Sequence, residues 1–170
     1  MTEGGHVVLV GLMGSGKSTV GPLLAERLGR RFVDSDLLIE AAQGRTVRQI
    51  FTDDGERAFR ALERQVLHDA LGCAEPLVIA AAGGVVLDPA NRAALADERH
   101  LVAWLRAEPA LLATRAASGD HRPLLDGDPL GRLEQMAADR QAWYAEVADL
   151  TIDVRGLTPA DVADLIEAAA

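Results

Sequence analysis

Val7-Val8-Leu9-Val10 leads directly into Gly11-Leu12-Met13-Gly14-Ser15-Gly16-Lys17-Ser18. The first part is an unbroken apolar run of β-favouring side chains, the pattern of a parallel strand buried on both faces. The second is a full match to the phosphate-binding loop G-x-x-x-x-G-K-[ST]. Beyond it Val20, Leu23, Leu24 and Leu28 recur at helical spacing until Gly29 gives a stop signal. A strand, a glycine-rich loop and a helix in this order aim free backbone N–H groups and the positive end of the helix at one anion. Gly14, Ser15, Gly16, Lys17, Ser18 and Thr19 are therefore the expected nucleotide-binding residues, with the Ser18 hydroxyl placed to ligate Mg²⁺.

Lys17 is the only lysine of the chain; the sixteen other basic residues are arginine. An ammonium is a compact charge on a flexible stem, able to fold back over the loop onto the β and γ phosphates, which a wide planar guanidinium does less well. The alternative, a glycine-rich turn carrying an exposed lysine, leaves the placement of this single ammonium to chance.

The remaining composition bounds the class. A chain of 170 residues, 49% hydrophobic, has enough apolar surface for a core without staples, so one domain spanning 1–170 is expected. The single cysteine, Cys73, excludes an internal disulfide, offers no metal cluster, and reads as packing in a reducing compartment. The first apolar run is too short for a cleavable signal, and Leu77 to Leu87, interrupted by Gly83 and Gly84, is too short to cross a bilayer. A soluble, cytoplasmic monomer with no membrane partner is the expectation. The net charge of −9 argues against nucleic acid, whose phosphates want a clustered basic surface. Aromatic residues, 4% of the chain, are too sparse for stacking along a single strand.

Strands and helices alternate without repeats. Phe32-Val33, Leu77 to Ala81, Leu101 to Leu105 and Leu150 to Val154 read as further strands, so about five are expected. Thr46, Asp88-Pro89 and Thr158-Pro159 read as helix starts, and a helix is expected from about Asp128 to Tyr144. Ser118 to Pro123 reads as a mobile loop. Repeated β-α units imply an α/β fold with a parallel sheet covered on both faces.

Asp34 and Asp36 stand at the carboxyl end of the second strand, where open α/β sheets place their ligands. On an extended chain both would point to one side, one holding the metal and the other accepting a proton from a substrate hydroxyl. The competing reading is a helix N-cap with a dipole-stabilising neighbour, since a helix starts there.

With these segments in place, the chain resembles the shikimate kinase family along nearly its whole length. The resemblance rests on Gly11 to Thr19, on Phe32 to Glu40, and on Ile50-Phe51 through Gly55-Glu56 to Phe59-Arg60 with Glu63. It continues through Ala82-Gly83-Gly84-Val85 with Asn91-Arg92, through Arg122-Pro123-Leu124-Leu125, and through Arg140 four residues before Tyr144. It implies a three-layer P-loop kinase fold with a small substrate-binding helical segment, about 34–63, and a mobile lid, about 116–127. It also implies phosphoryl transfer from ATP, with Mg²⁺, to the 3-hydroxyl of shikimate in aromatic amino-acid biosynthesis.

Under that resemblance Arg60 and Arg140 hold the substrate carboxylate, a task that suits a guanidinium fork. Asp36 binds ring hydroxyls and orients or takes the attacking proton, leaving Asp34 beside Ser18 for the metal. Gly83 and Gly84 approach the substrate through their backbones. Lys17 and Arg122 surround the transferring group with positive charge, Arg115 lies against the adenine, and Glu63 orients Arg60. Trp104, Trp143 and Tyr144 read as packing. Two positions depart from the family: Ala82 replaces the first glycine of a triplet, costly only at positive φ, and Ala80 replaces a small hydroxyl residue able to bind a metal-bound water. Alternatives are another small-molecule kinase such as a gluconate kinase, a nucleoside monophosphate kinase, and a regulatory module that binds ATP without transferring phosphate.

Overall fold

The computed structural model describes residues 5–116 and 125–170. Strands β1 (Val7–Val10), β2 (Arg31–Asp34), β3 (Leu77–Ala80), β4 (Leu101–Arg106) and β5 (Leu150–Asp153) form one sheet in the order β2-β3-β1-β4-β5. Every pairing is parallel. The chain leaves β1 to build β2 and β3 on one side, then returns past β1 to build β4 and β5 on the other. That reversal opens a crevice beyond the carboxyl end of β1, the place where such sheets bind ligands.

Helices α1 (Lys17–Leu28) and α8 (Pro159–Ala169) cover one face; α4 (Glu56–Leu71), α5 (Pro89–Leu95), α6 (Pro109–Ala116) and α7 (Pro129–Val147) cover the other. Alternation along β1 explains the two layers. Val7 and Leu9 pack with Leu24, Val162 and Ile166 on the first face, whereas Val8 and Val10 pack with Leu67, Leu112 and Leu133 on the second. Helices α2 (Ser35–Gln43) and α3 (Val47–Asp54) close a smaller core with the start of α4, made of Ile39, Val47, Ile50 and Phe59.

Local signals set the boundaries. Thr46 caps α3 through a capping box with Gln49, Asp88 caps α5 ahead of Pro89, and Thr158 caps α8 through a box with Asp161. Helix α7 runs on to Val147, three residues past the expected end. On α1 the buried stripe is Val20, Gly21, Leu24 and Ala25, and Leu23 is exposed. Gly21 replaces it because the Phe32 ring lies directly over its Cα, leaving no space for a side chain. Cys73 packs against the larger core, as expected, and so do Trp104 and Trp143. No helix among the described residues is long and apolar enough to cross a membrane.

Candidate active site

The phosphate loop turns through Gly14 and Gly16, at φ 82° and 106°, a left-handed conformation that L side chains rarely adopt. Helix α1 then starts at Lys17 with no side-chain cap, so its first N–H groups face the crevice. The Lys17 ammonium folds back over the loop and donates to the carbonyls of Gly11 at 2.5 Å and Leu12 at 3.0 Å. Arg115, from the last turn of α6, donates to the Gly14 carbonyl at 3.0 Å. Both cations therefore stand at the loop from opposite ends.

The Ser18 hydroxyl donates to Asp34 Oδ2 at 2.6 Å. The other oxygen of Asp34 accepts from the N–H groups of Asp36 and Leu37, making it the N-cap of α2. The capping alternative is thus correct for Asp34, and the strand-end expectation for Asp36 is not. Strand β2 stops at Asp34 and α2 begins at Ser35, so Asp36 lies in the first turn of a helix instead of alternating with Asp34 along a strand. A hydroxyl and a carboxylate at this spacing are the hard oxygen donors that Mg²⁺ takes, with phosphates and water completing its shell. The residues present fit that ion.

Asp36 is pushed up to about 6, first by burial and then by the Asp34 charge, while Lys17 and Arg60 pull it back. Its Oδ1 is buried without a hydrogen-bond partner. An acceptor of this kind, near both the phosphate loop and Arg60, awaits a donor from the cavity.

Two arginines stand at the glycine turn that borders the loop. Arg60 on α4 donates to Glu63 at 2.8 Å and to Glu56 at 3.1 Å. Glu63 is 2% exposed, and burial, outweighing the guanidinium beside it, lifts its carboxyl to about 7. Arg140 on α7 is 6% exposed, and one of its terminal nitrogens lies beside Gly83. Gly84 lies under the Arg60 guanidinium, so the glycine turn sits between the two forks.

One cavity of about 690 Å³ connects these parts. Lys17, Ser18, Asp34, Asp36, Arg60, Arg115 and Arg140 all line it, as do Gly83, Gly84 and the loop residues Gly14, Ser15, Gly16 and Thr19. Arg122, the expected lid residue, lies outside the described residues, as does most of the lid segment. Ala82 costs nothing, because no residue other than glycine has positive φ among the described residues. Ala80 is the register partner of Asp34 and also lines the cavity.

Two contributors escaped the sequence reading. The buried Ser35 hydroxyl donates to the Ala80 carbonyl at 2.9 Å and accepts from the Ala82 N–H at 3.1 Å, tying the start of α2 to the end of β3. The Tyr144 hydroxyl donates to the Gly83 carbonyl. These bonds span forty-five residues of sequence or more, and no local period marks them.

Comparison with known proteins agrees with this geometry. The shikimate kinase family model matches residues 13–170. The chain is 52% identical over 167 residues to a shikimate kinase of Symbiobacterium thermophilum, covering 95% of this chain and 94% of the relative. It is 45% identical to a shikimate kinase of Thermobifida fusca, covering 94% and 91%. The solved shikimate kinase of Acinetobacter baumannii in complex with shikimate superposes with a TM-score of 0.94 at 37% identity, covering 98% of this chain and 93% of that one. With a phosphate loop, a half-buried aspartate and two arginines around a glycine turn in one cavity, and with these relatives along its length, the chain belongs to the shikimate kinase family.

Proposed function

We infer that the chain transfers the γ-phosphoryl group of ATP to the 3-hydroxyl of shikimate, giving ADP and shikimate 3-phosphate, a step of aromatic amino-acid biosynthesis. One observation carries the reading: Arg60 and Arg140 flank the Gly83-Gly84 turn in the same cavity that the phosphate loop lines. A small polyhydroxylated acid fits that arrangement, its carboxylate between the forks and its hydroxyls toward Asp36 and the loop. The relatives named shikimate kinase, one of them solved with shikimate bound, support this acceptor.

The chemistry follows from charge and position. On nucleotide binding, the Lys17 ammonium exchanges the Gly11 and Leu12 carbonyls for β- and γ-phosphate oxygens, and the loop N–H groups cradle the rest. Arg115 lies against the nucleotide from α6. Ser18 and Asp34 would hold Mg²⁺, which would draw charge from the phosphate oxygens. Asp36, ionised above about pH 6, accepts the hydrogen bond of the attacking hydroxyl and takes its proton as the new O–P bond forms. Arg60 and Arg140 grip the carboxylate in ground and transition states alike, so they serve affinity more than the chemical step. The segment 34–63 is the acceptor-binding part of a single domain. The proposed enzyme is a monomer of the cytoplasm.

An ADP-release assay over shikimate, gluconate and nucleoside monophosphates tests the assignment. Turnover dependent on shikimate is expected. Turnover on another acceptor alone, or ATP binding without turnover on any, overturns it.

A further inference from the structure

Tyr144 is the largest fully buried side chain among the described residues, at 1% exposure. Its ring stacks on Trp104, centroids 5.6 Å apart at 25°, which accounts for packing. Packing does not account for the hydroxyl, which reaches across to the carbonyl of Gly83. Burial lifts this phenol to about 12, so it stays protonated and a donor at any working pH.

The segment Gly83 to Val86 is held at three carbonyls. Asn91 donates to the Val85 carbonyl at 3.0 Å and Arg92 to the Val86 carbonyl at 2.7 Å, fixing the short 3-10 turn Val85–Leu87 from α5. Tyr144 alone, among the hydrogen bonds described, takes the Gly83 carbonyl itself. In a trans peptide the C=O and the following N–H point in opposite directions, and no peptide bond here is cis. Holding the Gly83 carbonyl on the α7 side therefore turns the Gly84 N–H toward the opposite side, where Gly84 lines the cavity under Arg60. Arg140 is four residues earlier on α7, hence on the same face of the helix.

We propose that Tyr144 is a positioning residue for the acceptor: its hydroxyl orients the Gly83–Gly84 peptide and locks that peptide in register with Arg140. One helix thereby sets both a guanidinium and a backbone donor of the acceptor pocket. The inference rests on the shikimate reading above. It predicts a larger effect on the acceptor than on ATP, because among the hydrogen bonds described the hydroxyl reaches Gly83 and no phosphate-loop residue, although Gly83 itself lies against Gly11 and Met13.

Tyr144→Phe keeps the ring and its stack and removes the hydroxyl, which donates to Gly83 and also takes a hydrogen bond from Arg140. The expected result is a shikimate Kd and KM raised about five- to twentyfold, with the KM for ATP within about twofold of the parent. Trp104→Phe serves as a packing control, loosening the same stack while leaving the hydroxyl. It should lower the thermal midpoint without weakening shikimate binding. The proposal is overturned if Tyr144→Phe binds shikimate as tightly as the parent, if it loses ATP and shikimate affinity equally, or if Trp104→Phe raises the shikimate Kd as much. A parent enzyme that binds ATP but not shikimate overturns the substrate assignment, and this inference with it.

Discussion

The Arg60 guanidinium lies against the Cα of Gly84 with no space for a methyl group between them. Gly84 has φ −85° and ψ 2°, a conformation open to alanine, so the requirement for glycine here is contact and not backbone freedom. Gly83 differs: a Cβ there would meet its nearest neighbours at 3.5 Å or more, which is ordinary packing. Gly84→Ala should therefore push Arg60 off its position and raise the KM for shikimate about tenfold, with little change in the KM for ATP. Gly83→Ala should change either constant less than about threefold. Steady-state kinetics with each substrate varied in turn checks the pair, and a greater penalty at Gly83 would contradict the packing.

Asp36 links activity to stability with opposite signs. Its carboxyl, raised from 3.8 to about 6 by burial and by Asp34, must be ionised to accept a proton, so kcat/KM should rise with pH through about 6 and level above it. The folded state holds this proton more tightly than the unfolded chain. The stabilisation is thus fully present below about pH 4 and is lost as pH rises through 6, costing at most about 3 kcal/mol at neutral pH. Asp36→Asn should lower kcat by at least about a hundredfold and yet raise the thermal midpoint at pH 8. Thermal scans of parent and variant at pH 4.5 and pH 8 check this, since the gap between them should widen at the higher pH.

Asp34 performs two tasks that a conservative change separates. Its Oδ1 caps α2 and its Oδ2 accepts from Ser18. Asparagine caps helices about as well as aspartate but brings no negative charge to a cation. Asp34→Asn should leave the thermal midpoint nearly unchanged while raising the Mg²⁺ concentration for half-maximal turnover at least about tenfold. Ser18→Ala should act in the same direction. A Mg²⁺ titration at saturating ATP and shikimate measures both, and an unshifted Asp34→Asn curve would remove Asp34 from the metal site.

The elements of the fold were legible because each is written locally. Val7 to Val10, Leu77 to Ala80 and Leu101 to Leu105 are short apolar runs, and Thr46, Asp88 and Thr158 are caps next to their helices. The order of the strands was not legible, since nothing local in β1 says that β3 and β4 lie on either side of it. At the site, the phosphate loop could be read from one stretch, and the arginines only through resemblance to a family. The boundary at Asp34 was misplaced because two signals conflict there. Phe32 and Val33 favour extension, and the helix overrides them as soon as Asp34 can cap it. Ser35 and Tyr144 act through single hydrogen bonds to backbone carbonyls far away in sequence, and a hydroxyl carries no period that would announce such a partner.

Ser35 tests how far the glycine turn depends on its approach. Its hydroxyl satisfies the Ala82 N–H and donates to the Ala80 carbonyl, both within the last residues before Gly83, at a site 3% exposed. Removing the hydroxyl leaves a buried donor without this acceptor, a loss of about 1–3 kcal/mol. For a chain of this length that corresponds to a thermal midpoint lower by about 2–10 °C. If the turn also relaxes, the KM for shikimate should rise about two- to fivefold while the KM for ATP changes less. Differential scanning calorimetry and acceptor kinetics on Ser35→Ala check both parts. A variant as stable as the parent would mean that the Ala82 N–H finds another partner, and a matching loss of ATP affinity would mean that the two ends of the cavity are not separable.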